Sequence, residues 1–144
     1  MFLQALSVLI AIQTLPRGIV GQESPSLQGV EWIQTVGRTS PAIEKDNVNY
    51  LFFFQSWCPG CHSHGFPTLQ KLKEKFSDVN FIAIQTVFEG FSTNTKERAV
   101  VDVKSFGLDV PVGHDGTLGT PSPLMRVYRS GGTPWTVIID KHGI

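Results

Sequence analysis

The chain is poor in cysteine and carries no excess of either charge. Two cysteines, Cys58 and Cys61, occur in 144 residues. A disulfide-stapled scaffold spreads more of them along the chain, so this pair argues for chemistry rather than for a framework. Twelve basic and twelve acidic residues give a formal net charge of zero. With no basic field, neither nucleic acid nor an anionic membrane surface is expected as a partner. Internal repeats and low-complexity tracts are absent. So is any apolar run of the roughly 20 residues that a membrane span needs. The nearest candidate, Phe2 to Leu15, is interrupted by Gln4, Ser7, Gln13 and Thr14. It has the length of a signal-peptide apolar region, yet no Lys or Arg precedes it and Arg17 follows it. Residues 1–20 are read as an apolar N-terminal segment of signal-peptide form, implying an exported or periplasmic protein, with membrane contact only through this segment as an anchor. The alternative is a segment packed on a cytoplasmic domain.

What is present describes one globular domain over residues 21–144. Hydrophobic residues make up 41% and charged residues 17%, enough to build a core without staples. Gln22 to Asn49 is mixed and turn-rich. Tyr50 to Phe54 is a continuous apolar and aromatic run, expected as a strand buried on both faces. Ser56-Trp57-Cys58-Pro59 breaks it and starts a helix, with Pro59 tolerated in the first turn. Phe66, Leu69, Leu72 and Phe76 recur at helical spacing, and Val79 to Val87 reads as a second strand. Asn94-Thr95-Lys96-Glu97 has the form of a capping box, with Ala99, Val100, Val103 and Phe106 as the apolar face behind it. Val110 to Val112 is expected as a short strand, Leu124 to Tyr128 as one helical turn, and Thr136 to Asp140 as a third buried strand. Strands alternating with helices imply an α/β sandwich with parallel strands at its centre.

Cys58 falls where strand hands over to helix, and Cys61 one turn later, so both sulfurs share a helical face. The free N–H groups and partial positive charge of a helix start favour a thiolate at Cys58, the candidate nucleophile. Cys61 would then resolve the mixed disulfide, with Pro59 and Gly60 between them tuning the potential. Three other readings use the same residues. The thiols are inert and buried; or Cys58, Cys61, His62 and His64 bind zinc, although no second Cys/His knuckle exists; or Cys58-Pro59-Gly60-Cys61-His62 attaches haem, with Met125 or His114 as distal ligand. Thiol redox chemistry, with no cofactor and no metal, fits the strand running into the cysteines best.

These residues resemble the thioredoxin superfamily, and within it the TlpA-like thiol–disulfide reductases, from about Gly21 to the end. Gly21-Gln22-Glu23-Ser24-Pro25 is similar to that group's opening Gly-x-x-(Ala/Ser)-Pro, and Glu31-Trp32-Ile33 has a familiar look. Phe54-Gln55-Ser56-Trp57-Cys58-Pro59-Gly60-Cys61 is similar to the active-site strand and Trp-Cys-x-x-Cys. Tyr128, Pro134, Trp135 to Asp140 and Gly143 parallel the segment with the family's cis-proline. The resemblance implies a thioredoxin-like α/β fold, a central mixed sheet flanked by helices, lacking the usual C-terminal strand and helix. It implies Cys58 as nucleophile and Cys61 as resolving thiol. Pro134 is expected in cis, Thr133 offers backbone groups to a bound substrate chain, and Trp57 is either an apolar platform beside the cysteines or a core aromatic. The implied partners are protein disulfide substrates and an upstream thiol electron donor.

The sequence departs from the family at four places. Phe52 stands where thioredoxin has a buried Asp, so that position offers no carboxylate to relay a proton. His64 stands where TlpA-like proteins often carry Glu, as a proton acceptor or as a solvated surface residue. Pro67 lies nine residues after Cys58 where the family has eight, and Gly65 marks the extra residue as a helix bulge. The last strand and helix do not follow Ile144, which implies a fragment or an open sheet edge. A peroxiredoxin-type peroxidase is the alternative function; Gln55 and Leu51 occupy the positions where that group has Thr or Ser and Pro.

Overall fold

The computed structural model describes residues 17–144; the N-terminal segment of the sequence reading lies outside the described residues up to residue 16. The elements run β1 Glu31–Gln34, β2 Asn49–Phe54, a π-helical turn Cys61–Gly65, α1 Phe66–Lys75, β3 Asn80–Thr86, α2 Lys96–Ser105, β4 Val112–Asp115, α3 Pro123–Val127 and β5 Trp135–Ile139. The five strands form one sheet in the order β1-β4-β3-β2-β5. β2 runs parallel to β3 and β3 parallel to β4. The two edge strands, β1 and β5, are antiparallel to their neighbours. The expected mixed sheet with a parallel centre is what forms.

β2 is the middle of it. All six residues are buried, because the sheet has a packed layer on each face and the alternating side chains must fill both. Tyr50, Phe52 and Phe54 point into a cluster with Cys58, Cys61, Phe66, Leu69 and Ala99. Leu51 and Phe53 enter a second cluster with Leu27, Val30, Ile82, Ile84, Leu124 and Tyr128. Burying each of these large apolar side chains contributes about 1.5–3 kcal/mol. Tyr128, deep in the second cluster, also ties the opening segment down by donating its hydroxyl to the Pro25 carbonyl at 2.5 Å.

Several expectations need correction. The turn-rich stretch before Asn49 contains β1, whose four residues pair with β4 at the sheet edge. The short strand near Val110 starts later, at Val112, because Pro111 lacks an N–H and offers only its carbonyl, accepting from Ala83 N–H at 3.0 Å. The helix α2 is capped by Thr95, whose hydroxyl accepts the Arg98 N–H, not by Asn94. β5 is an edge strand with alternating exposure rather than a buried one, and Ile138 is 57% exposed. Phe76 ends α1 as its C-cap and is exposed instead of completing the apolar face. Among the described residues no helix is long and apolar enough to cross a membrane.

The extra residue between Cys58 and Pro67 is absorbed by the π-helical turn Cys61–Gly65. The wider turn brings Gly65 against β2, where an added Cβ would stand 2.3 Å from Phe52 Cζ. Phe52 in turn packs edge-on against Phe66, with centroids 5.5 Å apart. The large strand residue and the missing helix side chain are therefore complementary. Gly65→Ala is expected to cost about 1–3 kcal/mol by overpacking. Phe52→Leu in the same chain should recover part of that loss, so urea unfolding of the four variants of the cycle should be non-additive.

Candidate functional site

Beyond Phe54 the chain leaves the sheet and makes a tight loop, with Cys58 N–H donating to the Gln55 carbonyl at 3.0 Å. Side chains replace the sheet ladder here. Ser56 N–H donates to Gln85 Oε1 at 2.8 Å and Trp57 N–H to Asn94 Oδ1 at 3.0 Å. Gln55 Oε1 accepts Phe88 N–H at 3.2 Å. Asn94 Nδ2 donates to the Glu89 carbonyl at 3.0 Å. The loop is buried at Gln55 and Ser56, so its backbone groups need such partners. Asn94 is thus occupied at the site, which explains why the helix cap falls to Thr95.

Gln85 extends this network to β4. Its Nε2 donates to the Thr95 carbonyl at 2.9 Å and lies 3.1 Å from His114 Nδ1. His114 is half-buried, and its pKa lies below the usual value because burial penalises the charged ring. Since Gln85 Nε2 is a donor, the neutral ring with Nδ1 accepting is the form that fits it.

Cys58 and Cys61 are joined as a disulfide with Cα atoms 5.3 Å apart. Pro59 and Gly60 are helical, the π-helical turn follows, and α1 continues it, so Cys58 stands just before a helix start. Cys61 N–H donates to Cys58 Sγ at 3.2 Å. Cys58 is 7% exposed and Cys61 is 0% exposed. The Thr133–Pro134 peptide is cis. A Cβ on Gly60 would stand 3.4 Å from Pro134 Cδ, which puts that loop directly against the cysteine pair.

Trp57 is 45% exposed, a surface aromatic beside Cys58 rather than a core residue. Its indole lies over Gly90, whose φ of 56° and 2.9 Å clearance to Trp57 Cζ3 leave no room for a side chain. His64 is exposed, with Nδ1 2.7 Å from Ser63 Oγ. His62 takes a different direction. Its ring packs against Phe66 and Phe106, with centroids at 5.7 and 5.3 Å, and Nε2 lies 3.5 Å from Asp102 Oδ1. The two imidazoles suggested as metal ligands with the cysteines thus have separate partners. Sequence reasoning missed Asp102 altogether. It lies in α2 three residues after Ala99 and four before Phe106, so helical spacing sets it beside that apolar face, and it is 4% exposed.

No protein-family model and no curated protein matches this chain. Solved structures do. A thiol-disulfide isomerase from Corynebacterium glutamicum is 30% identical, with 83% of this chain aligned to 80% of that one and a TM-score of 0.69. A thioredoxin-like superfamily protein is 28% identical, over 84% of this chain and 80% of that one, with a TM-score of 0.74. A secreted Mycobacterium tuberculosis disulfide oxidoreductase homologous to E. coli DsbE shares the fold at 18% identity, over 78% of each chain, with a TM-score of 0.57. With a Cys-x-x-Cys disulfide at the end of the central strand, the chain belongs to the thioredoxin-like superfamily and is one of its thiol–disulfide oxidoreductases.

Proposed function

We propose that the domain formed by residues 21–144 reduces protein disulfides by dithiol exchange through Cys58 and Cys61. The observation that carries the reading is the unequal placement of the two sulfurs at one helix start. Cys58 keeps a small exposure of 7% and receives an N–H from Cys61, while Cys61 is 0% exposed. A thiolate is the attacking species. Helix-start N–H groups and the partial positive charge stabilise one at Cys58.

In the forward cycle the Cys58 thiolate attacks a substrate disulfide, forming a mixed disulfide and releasing one substrate thiol. Cys61 then loses its proton and attacks Cys58 Sγ, closing the Cys58–Cys61 bond and releasing the second substrate thiol. An upstream thiol donor returns the pair to the dithiol form. Trp57 serves as an apolar platform for the incoming chain. Thr133 offers its backbone groups beside Pro134, and Pro59 with Gly60 sets the geometry between the sulfurs. His64, exposed and partnered by Ser63, serves as part of the surrounding surface. Residues 1–20 direct export; the secreted Mycobacterium tuberculosis neighbour and the apolar N-terminal run support that placement.

Cys61→Ser is expected to accumulate mixed disulfides with protein substrates on non-reducing gels, and Cys58→Ser to accumulate none; the opposite pattern would reverse the roles. The reduction potential of the pair, read by equilibration with glutathione, is expected near the thioredoxin value of about −270 mV. A value near −120 mV would make the protein an oxidant instead. Rapid loss of both thiols to hydrogen peroxide, without activity on a protein disulfide, would favour the peroxidase.

A further inference from the structure

The resolving step needs a proton acceptor for Cys61, and the apolar wall beside it supplies none. Phe52, Phe54 and Phe66 pack in the same cluster as Cys61. An ionisable side chain stands instead on the opposite element. Asp102, on α2, lies one turn beyond Ala99, which belongs to the cluster that holds Cys61. A carboxylate this deeply buried is costly unless it is partnered, yet Asp102 Oδ2 has no hydrogen-bond partner. Its other oxygen, Oδ1, faces His62 Nε2 at 3.5 Å. That separation is at the outer limit of a hydrogen bond, and His62 Nε2 is itself buried without another partner although the ring as a whole is a third exposed.

The surroundings single this pair out. The elements packed on the imidazole present Phe66 from α1 and Phe106 from the end of α2. Among the described residues, Asp102 is the charged group within ion-pair distance of His62. Lys73 pairs with Asp109 and Lys96 with Glu31, His64 has Ser63, and Arg98 and Lys104, the other cations of α2, are not within ion-pair distance of Asp102. His62 also follows Cys61 directly in the chain, and its N–H bonds the Cys58 carbonyl at 3.3 Å. Ring, carboxylate and cysteine pair are thereby fixed on one short turn and the helix against it.

We propose that His62, positioned and charge-compensated by Asp102, takes up the proton that Cys61 loses when it resolves the mixed disulfide. This rests on the exchange reading above. In the step, the Cys61 S–H proton passes to the imidazole and the Cys61 sulfur forms a bond to Cys58 Sγ. The bond from Cys58 to the substrate sulfur breaks, and that sulfur leaves with the electron pair as a thiolate. The carboxylate of Asp102 balances the imidazolium until it returns the proton to solvent through its exposed edge. Asp102 is a positioning residue, since it acts through His62.

The test uses the reduced full-length protein and the chromogenic disulfide 5,5′-dithiobis(2-nitrobenzoate). Attack by Cys58 releases one coloured thiolate and leaves a mixed disulfide, and attack by Cys61 releases the second. The rate of the second release, followed from about pH 5.5 to 9.5, reports Cys61. The wild-type profile is expected to inflect below the value of an ordinary thiol, about 8.5. His62→Phe keeps the stacking on Phe66 and Phe106, and Asp102→Asn keeps the shape; either should move the inflection up by about one unit. The second release should then slow about tenfold near pH 7 and converge with wild type near pH 9.5, while the first release is unchanged. Two variants on different elements keep the test open should one fail to fold. Slowing by the same factor at every pH, or an unchanged profile, overturns the relay. If no mixed disulfide forms on wild-type Cys58, the exchange reading fails, and the relay with it.

Discussion

A strand with no solvent on either face leaves its backbone no choice of partner, and β2 is such a strand. Its peptide groups pair with β3 from Asn49 to Phe54 and with β5 from Asn49 to Phe53. Where those ladders run out, the polar groups of the next residues are still buried, and each needs a donor or acceptor brought from elsewhere. The side chains of Gln85 on β3 and Asn94 ahead of α2 supply them for Ser56 and Trp57. The position of Cys58 is set by this closure. It lies where β2 must stop, and the loop that stops it is pinned to β3 and to the segment before α2. Gln85 carries the same constraint on to β4 through His114, so three strands fix one short loop.

Features decided by local chemistry were legible in the sequence. The aromatic run Tyr50 to Phe54 has no polar residue to place on a wet face, so it had to be central. The Cys-x-x-Cys spacing fixes both sulfurs on one turn. The extra residue before Pro67, with Gly65 beside it, could be read as a bulge, and it forms the π-helical turn. The cis peptide at Thr133–Pro134, implied by resemblance, is present. What was hidden depended on which elements become neighbours. Glu31–Gln34 shows no run long enough to declare a strand, and becomes one because β4 offers an edge. Val137, Ile138 and Ile139 read as uniformly buried, but β5 has a partner on one side only, and Ile138 is left exposed. Asn94 and Thr95 both suit a helix cap, and tertiary demand for Asn94 at Trp57 decides between them. Asp102 was within reach of the spacing, three residues after Ala99 and four before Phe106, and only its pairing with His62 on another element was hidden.

Phe52 shows how one substitution in the core reorganises its surroundings. A carboxylate at this position would have to be hydrated or paired next to Phe54 and Phe66, at a cost of several kcal/mol for an unpaired buried charge. An aromatic ring removes that cost and takes the space that the missing side chain at Gly65 leaves. Apolar packing on this side also has a price in reactivity, because a thiolate at Cys61 is disfavoured in such surroundings.

The two cysteines therefore have unlike surroundings within one turn. Cys58 stands just before the helix start and receives an N–H from Cys61, an arrangement that under the proposed exchange supports negative charge there. Cys61 is fully enclosed by the aromatic cluster, so under the proposed exchange its route to reaction is through Cys58 Sγ. Under the proposed exchange, that inequality orders the steps. The less enclosed of the two cysteines meets the substrate first, and the fully enclosed one acts only when a proton can leave it. A proton acceptor on the α2 side completes this arrangement without placing a charge in the aromatic wall, because the His62 ring has an exposed edge while its Nε2 turns inward to Asp102.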